Sequence, residues 1–153
     1  MADDGRADLA AMLAPLVRAL VAAERPILDE HGLTMWGYSV LLALAEQPTR
    51  TQAALAESIG ADKTRIIGVL DDLQERGLLQ RDPDPNDRRV RVLSLTEDGR
   101  RVCGAAQADI RKMEETLLAR LPAADRRGFL RALRVLSTLP RGEIIGRVRT
   151  PDP

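Results

Sequence analysis

Arg88 and Arg89 stand side by side in the stretch RDPDPNDRRVRVLSLTEDG, residues 81–99, behind a run of turn-formers and ahead of an apolar, β-branched segment. A guanidinium stays charged at any physiological pH, carries a planar fork of donors and is costly to bury without an anion. A pair of them at a turn, with Arg91 two residues on, fits contact with an anionic surface better than bond-breaking chemistry. Lys63, Thr64 and Arg65 begin a second such group in DKTRIIGVLDDLQER, and Thr51 and Gln52 begin TQAALAESIG. Free amides at a helix start attract phosphate, an ammonium is a point charge for phosphate, and an arginine can grip a guanine edge with two hydrogen bonds.

Catalytic and metal chemistry has little to work with. The chain has one His (His31) and one Cys (Cys103), with no Cys/His spacing that would hold a metal. No catalytic residue, metal site or cofactor is expected, and the reading is not an enzyme. A single cysteine allows no internal disulfide, which fits a reducing, cytoplasmic compartment. Asp3, Asp4 and Asp8 make the N-terminus unlike a signal peptide, and no apolar run approaches the roughly 20 residues of a membrane span.

The 153 residues fit one domain, and the formal net charge of +0 argues against non-specific coating of nucleic acid, which needs many phosphate contacts. A few cations concentrated at one place remain compatible with that balance. Only 2% of residues are aromatic. The core must therefore come from Leu, Val, Ile and Ala, which with regular polar interruptions favours helices.

The elements that would position these cations can be read from caps and periodicity. Leu9, Met12, Leu13, Leu16 and Leu20 recur at helical spacing, with Pro26 expected to bend or interrupt the helix and Gly32 to end it. Thr34 caps a second helix that stops at Gln47-Pro48. Thr51 caps a short third that stops at Gly60, and Asp62 caps a fourth that Gly77 terminates. Two short helices joined by a tight glycine turn form a helix-turn-helix. LLQRDP and RVRVLSL then read as two strands about the turn PDPNDR. Thr96 caps a long helix with Gly99 tolerated early in it, and a last helix runs from about Pro122 to Leu139.

A helix-turn-helix followed directly by a hairpin, both between long helices, resembles the MarR family of winged helix-turn-helix transcription regulators. Residues 51–99 carry the resemblance, with Asp87-Arg88-Arg89 and Leu95-Thr96-x-x-Gly99 its most diagnostic parts, and the flanking helices fit in order and length. The fold implied is mainly α with a small β-hairpin wing: a winged helix-turn-helix over residues 34–100, flanked by dimerisation helices at 1–33 and 105–139. Residues 1–139 make a single domain, and 140–153 are expected to be a flexible tail.

The resemblance implies a homodimer on a pseudo-palindromic double-stranded DNA operator, acting as a ligand-responsive repressor. Projected at 100° per residue, Ile66, Val69, Leu70 and Leu73 share the core face of the fourth helix. Thr64 and Arg65 then point to base edges, with Lys63 near phosphates. By resemblance, Arg89 enters the minor groove and Asp87 orients basic side chains, while Arg88 and Arg91 suit phosphates. The plainer alternative makes these charges solvated surface groups. Gly68 and Asp72 stand where relatives often have polar or basic groups, and Asp71 and Asp72 would repel phosphates they faced. Leu117, Leu118, Leu121, Phe129, Leu130, Leu133 and Leu136 are candidates for the dimer seam, in competition with an ordinary core. The family commonly binds small, often phenolic, effectors between dimerisation helices and reading head. Met12, Met35, Trp36 and Tyr38 are the candidates here, with core packing as the competing reading. His31 reads as a surface turn residue and Cys103 as a small buried hydrophobe. A winged helix used as a protein-interaction module, without operator binding, is the alternative function.

Overall fold

The computed structural model describes Gly5 and residues 7–47 and 50–145. The elements in order are α1 (Leu9–Glu30), α2 (Met35–Glu46), β1 (Arg50–Thr51), α3 (Gln52–Ile59), α4 (Lys63–Glu75), β2 (Leu79–Pro83), β3 (Arg91–Leu95), α5 (Glu97–Leu118), α6 (Ala123–Ser137) and α7 (Arg141–Ile145). The chain falls into two compact units, residues 1–111 and 112–153, with α5 running through the division.

In the first unit, side-chain oxygens start the helices where the sequence puts them. Thr34 Oγ1 accepts from the Gly37 amide at 3.0 Å, Thr51 Oγ1 from Ala54 at 3.2 Å and Asp62 Oδ1 from Thr64 at 3.1 Å. Each supplies a partner to an amide that the helix leaves free, an effect of about 1 kcal/mol. Gly32, Gly60 and Gly77 have φ of +65°, +67° and +69°, the left-handed conformation that ends a helix and turns the chain. Pro26 does not interrupt α1, which continues through it to Glu30. Leu28 and Leu33, 1% and 2% exposed, anchor that end in the core and offset the amide that proline lacks.

The core gathers Val40, Leu41 and Leu44 of α2, Leu55 of α3, Ile66, Leu70 and Leu73 of α4, and Leu79, Leu93 and Leu95 of the sheet. It is aliphatic, as the composition requires, and each fully buried Leu or Ile contributes about 1.5–3 kcal/mol. The sheet has three strands in the order β1-β3-β2, all antiparallel. The hairpin pairs Leu79 with Leu95, Arg81 with Leu93 and Pro83 with Arg91. Alternation along β3 buries Leu93 and Leu95 and leaves Arg91 exposed. Beyond the two strands expected from sequence, β1 adds a third, pairing Arg50 with Leu93 and Thr51 with Val92.

The Leu95-Thr96-x-x-Gly99 segment closes this unit. Thr96 Oγ1 donates to the Gly77 carbonyl at 2.6 Å and accepts from the Gly99 amide at 3.0 Å. One hydroxyl thus ties the end of the wing to the turn after α4 and caps α5. Gly99 lies so close to the chain that a Cβ there would sit 1.9 Å from the Leu78 carbonyl oxygen. Its role is close approach, not the mere tolerance the sequence indicated.

In the second unit, Arg126 Nη2 of α6 donates to Glu115 Oε1 at 2.7 Å. No described side chain of α6 is buried, and Phe129, Leu130, Leu133, Val135 and Leu136 are 37–58% exposed. Arg141–Ile145 form the short helix α7 at the start of the stretch expected to be a tail; residues 146–153 lie outside the described residues.

Candidate nucleic-acid interface

The caps and core decide which way α4 faces. Ile66, Leu70 and Leu73 are buried and Val69 half-buried, so Lys63, Thr64, Arg65, Gly68, Asp71 and Asp72 are left exposed. This is the division expected from a 100° projection. The first turn of α4 therefore presents an ammonium, a hydroxyl and a guanidinium to solvent. Thr51 and Gln52, at the start of α3, are half-buried.

At the wing, Arg88 and Arg89 are exposed in the turn between β2 and β3. Backbone-directed bonds shape that turn. The Asp84 amide donates to the Val90 carbonyl at 2.8 Å, Asp84 Oδ1 accepts from the Asn86 amide at 2.8 Å, and Asp87 Oδ1 accepts from the Arg89 amide at 3.1 Å. Asp87 thus holds the backbone that carries Arg89. Short Asp and Asn side chains suit such turns because they reach amides two residues on. Arg91 is exposed where β3 leaves that turn, opposite Pro83.

The acids on α4 are not bare. Arg76 Nη1 donates to Asp72 Oδ2 at 3.3 Å, one turn along the helix, and Arg81 Nη1 of β2 donates to Asp71 Oδ1 at 2.7 Å. Both carboxylates that would repel a phosphate are held by a guanidinium. The first pair follows from i,i+4 spacing. The second has no local sequence signal, because the hairpin register decides where Arg81 falls.

Arg65 has a partner of its own: its guanidinium carbon lies 5.7 Å from the centre of the Trp36 ring, within cation–π range. Trp36, with Val40, Ile59, Ala61, Ile66 and Val69, lines a crevice against the start of α4. Of the other candidates for an effector site, Met35 is half-buried, Tyr38 is 6% exposed inside the core and Met12 is 45% exposed on α1.

His31 Nε2 lies 2.7 Å from Asp109 Oδ2, joining the turn after α1 to α5. Cys103 is 3% exposed, and burial pushes its thiol above the ordinary value of 9.0, away from the reactive thiolate. Among the described residues no group of three or more His, Cys, Asp or Glu is placed to hold a metal ion. No described helix is long and apolar enough to cross a membrane.

Comparison with known proteins agrees with this geometry. The sequence model of the MarR family matches residues 31–90. The transcriptional regulator HosA of Escherichia coli O111:H- is 32% identical over 102 residues, which are 67% of this chain and 76% of HosA. A regulatory protein for the hcr operon of Thauera aromatica is also 32% identical over 102 residues, but the match spans only 61% of its length. Among solved structures, CouR from Rhodococcus jostii RHA1 bound to p-coumaroyl-CoA superposes with a TM-score of 0.72 at 29% identity, over 87% of this chain and 94% of CouR. The transcriptional repressor CouR bound to a 23-mer DNA duplex superposes with a TM-score of 0.72 at 28% identity, over 85% of this chain and 92% of that one.

Proposed function

The chain belongs to the MarR family, and we propose that it is a homodimeric, sequence-specific regulator of transcription that binds double-stranded DNA in the cytoplasm, with no enzymatic activity. The observation that carries this reading is the pairing, on one rigidly capped unit, of two exposed cationic elements: the first turn of α4 and the tip of the wing. In a helix-turn-helix the start of the second helix enters the major groove. Thr64 and Arg65 then meet base edges, while Lys63 and the amides behind Thr51 and Gln52 meet phosphates. The wing reaches the neighbouring minor groove with Arg89, and Arg88 and Arg91 lie along the backbone. A narrow A·T-rich minor groove concentrates negative potential and draws an inserted guanidinium.

The dimer is supported by apolar surface that the monomer leaves open. Leu9, Met12, Leu13 and Val17 of α1 are 41–57% exposed, and α6 turns five large apolar side chains outward. Contiguous exposed apolar faces mark interaction surfaces. Residues 1–33 and 105–139 are accordingly the dimerisation segments, and 34–100 the reading head. Two heads related by a two-fold axis read a pseudo-palindrome.

CouR, a repressor in its DNA-bound structure, also has a structure with p-coumaroyl-CoA, and that supports a ligand-responsive repressor here. Met12, Met35, Trp36 and Tyr38 are the effector candidates. Trp36 has the clearest route to the reading head, because it touches Arg65.

The test is footprinting of the purified protein on the DNA that flanks its own gene, with sedimentation to give its mass. A protected pseudo-palindrome and a two-chain particle are expected. A chain that protects no DNA while co-purifying with another protein would instead be a protein-interaction winged helix.

A further inference from the structure

Ile67 is out of place. Every other large apolar side chain exposed among the described residues lies on α1, on α7, or between Leu117 and Leu136. Within the winged helix-turn-helix Ile67 stands alone, 46% exposed on the outward side of α4. It borders an open groove of about 510 Å³ between α4, the start of α3 and the strands of the wing, with Gln52, Asp71, Gln74, Arg81 and Arg91 around it. A solvent-facing site on a helix would be better filled by Lys, Glu or Gln, which are stronger helix formers than a β-branched residue.

The next residue repeats the anomaly. Gly68 is not among the glycines of positive φ, and a Cβ built on it meets nothing within 4 Å. The fold therefore has no need of glycine there, although glycine weakens a helix interior relative to alanine. Two adjacent positions of α4 thus depart from what the helix alone would choose. Both lie beside Thr64, the residue that presents a hydroxyl at the outward first turn.

We propose that Ile67 reads the C5-methyl group of a thymine in the major groove, and that Gly68 lets the helix backbone come close enough for the contact. The inference rests on the DNA-binding reading above. In the major groove the thymine methyl is the apolar mark that distinguishes a T·A pair, and side-chain methyl groups are its natural partner. The surroundings suit a duplex: Gln52 and Gln74 can bond to base edges or phosphates, Arg91 carries positive charge, and the Asp71 carboxylate is held by Arg81.

The test uses the full-length protein and its footprinted operator, with deoxyuridine replacing thymidine one position at a time, which removes only the methyl. Binding is read by fluorescence anisotropy at fixed salt. For the wild type, one thymidine in each half-site should show about a fourfold loss on substitution, the value of one buried methyl-sized group. For Ile67→Ala the same substitution should change affinity less than twofold. Gly68→Ala should fold with an equal or higher Tm yet bind the operator at least tenfold more weakly. If no thymidine shows a methyl effect that depends on Ile67, or if Gly68→Ala binds like the wild type, the inference is overturned while the regulator reading stands. Wild-type protein that binds no duplex overturns both.

Discussion

Asp71 on the outward side of α4 accepts a hydrogen bond from Arg81 Nη1 of β2 at 2.7 Å, so the second helix of the helix-turn-helix is latched to the first strand of the wing. The two elements proposed to address neighbouring grooves of one duplex are thereby tied to each other. Arg81 is well covered in this position, its side chain 22% exposed. An acid whose charge alone would oppose DNA binding becomes part of the frame.

A double-mutant cycle over Asp71→Ala and Arg81→Ala should therefore give a coupling of about 1 kcal/mol in urea unfolding at low salt. The value is modest because Asp71 is 58% exposed, and it should shrink as salt rises. Strictly additive losses would show that the latch carries no energy. Operator affinity should fall in Asp71→Ala even though removing a negative charge would by itself favour phosphate binding. That sign separates an orienting role from a simple charge effect.

Gly99→Ala is expected to be among the most damaging small substitutions in the winged helix. The added Cβ would lie 1.9 Å from the Leu78 carbonyl oxygen, a backbone atom that cannot rotate away. Overpacking of this kind costs about 3 kcal/mol, the upper end of the usual range. Gly104→Ala, where a Cβ meets nothing within 4 Å, is the matched control and should be neutral or stabilising. Thermal unfolding of the two variants checks the contrast.

These cases show what a sequence can and cannot convey. Thr34, Thr51, Asp62 and Thr96 announced their helices because a cap bonds to an amide only two or three residues away. The face of α4 was legible for the same reason, since its periodicity is local. β1 was not, because a two-residue strand has no period and exists only by pairing with β3. Gly99 and Arg81 depend on Leu78 and Asp71, which the hairpin and the turn after α4 bring to them. Ile67 could have been noticed as an apolar residue off the core stripe of α4, but its isolation emerges only once every other exposed apolar side chain is placed.

Cys103 should be chemically quiet. Burial disfavours the thiolate, so alkylation of native protein at pH 8 should be far slower than that of unfolded protein. The same shift has a sign in stability. The folded-state pKa lies above the unfolded one, so the stabilisation is fully present below the thiol's ordinary value of 9.0 and is lost as pH rises through the folded value. Between wild type and Cys103→Ala, the difference in unfolding free energy should be flat below pH 8 and should shift against the wild type above pH 9. A difference that does not change with pH would mean the thiol ionises equally well in both states.

Arg89 and Arg88 are neighbours in the wing turn, yet their losses should look different. Asp87 fixes the Arg89 backbone at 3.1 Å, which sets the direction in which that side chain leaves the tip. If Arg89 enters a narrow minor groove, Arg89→Ala should weaken operator binding about tenfold and flatten the preference for A·T pairs at the flanks of the site. If Arg88 meets only phosphate, Arg88→Ala should weaken all duplexes alike and lower the salt dependence by about one contact. Both variants should sediment as dimers, because the tip lies outside the segments assigned to dimerisation. Arg65→Ala supplies the major-groove counterpart, relaxing preference at one base pair in each half-site. Selected-sequence profiles of the three variants separate these roles, and an Arg89→Ala profile with unchanged A·T preference would remove the minor groove from the reading.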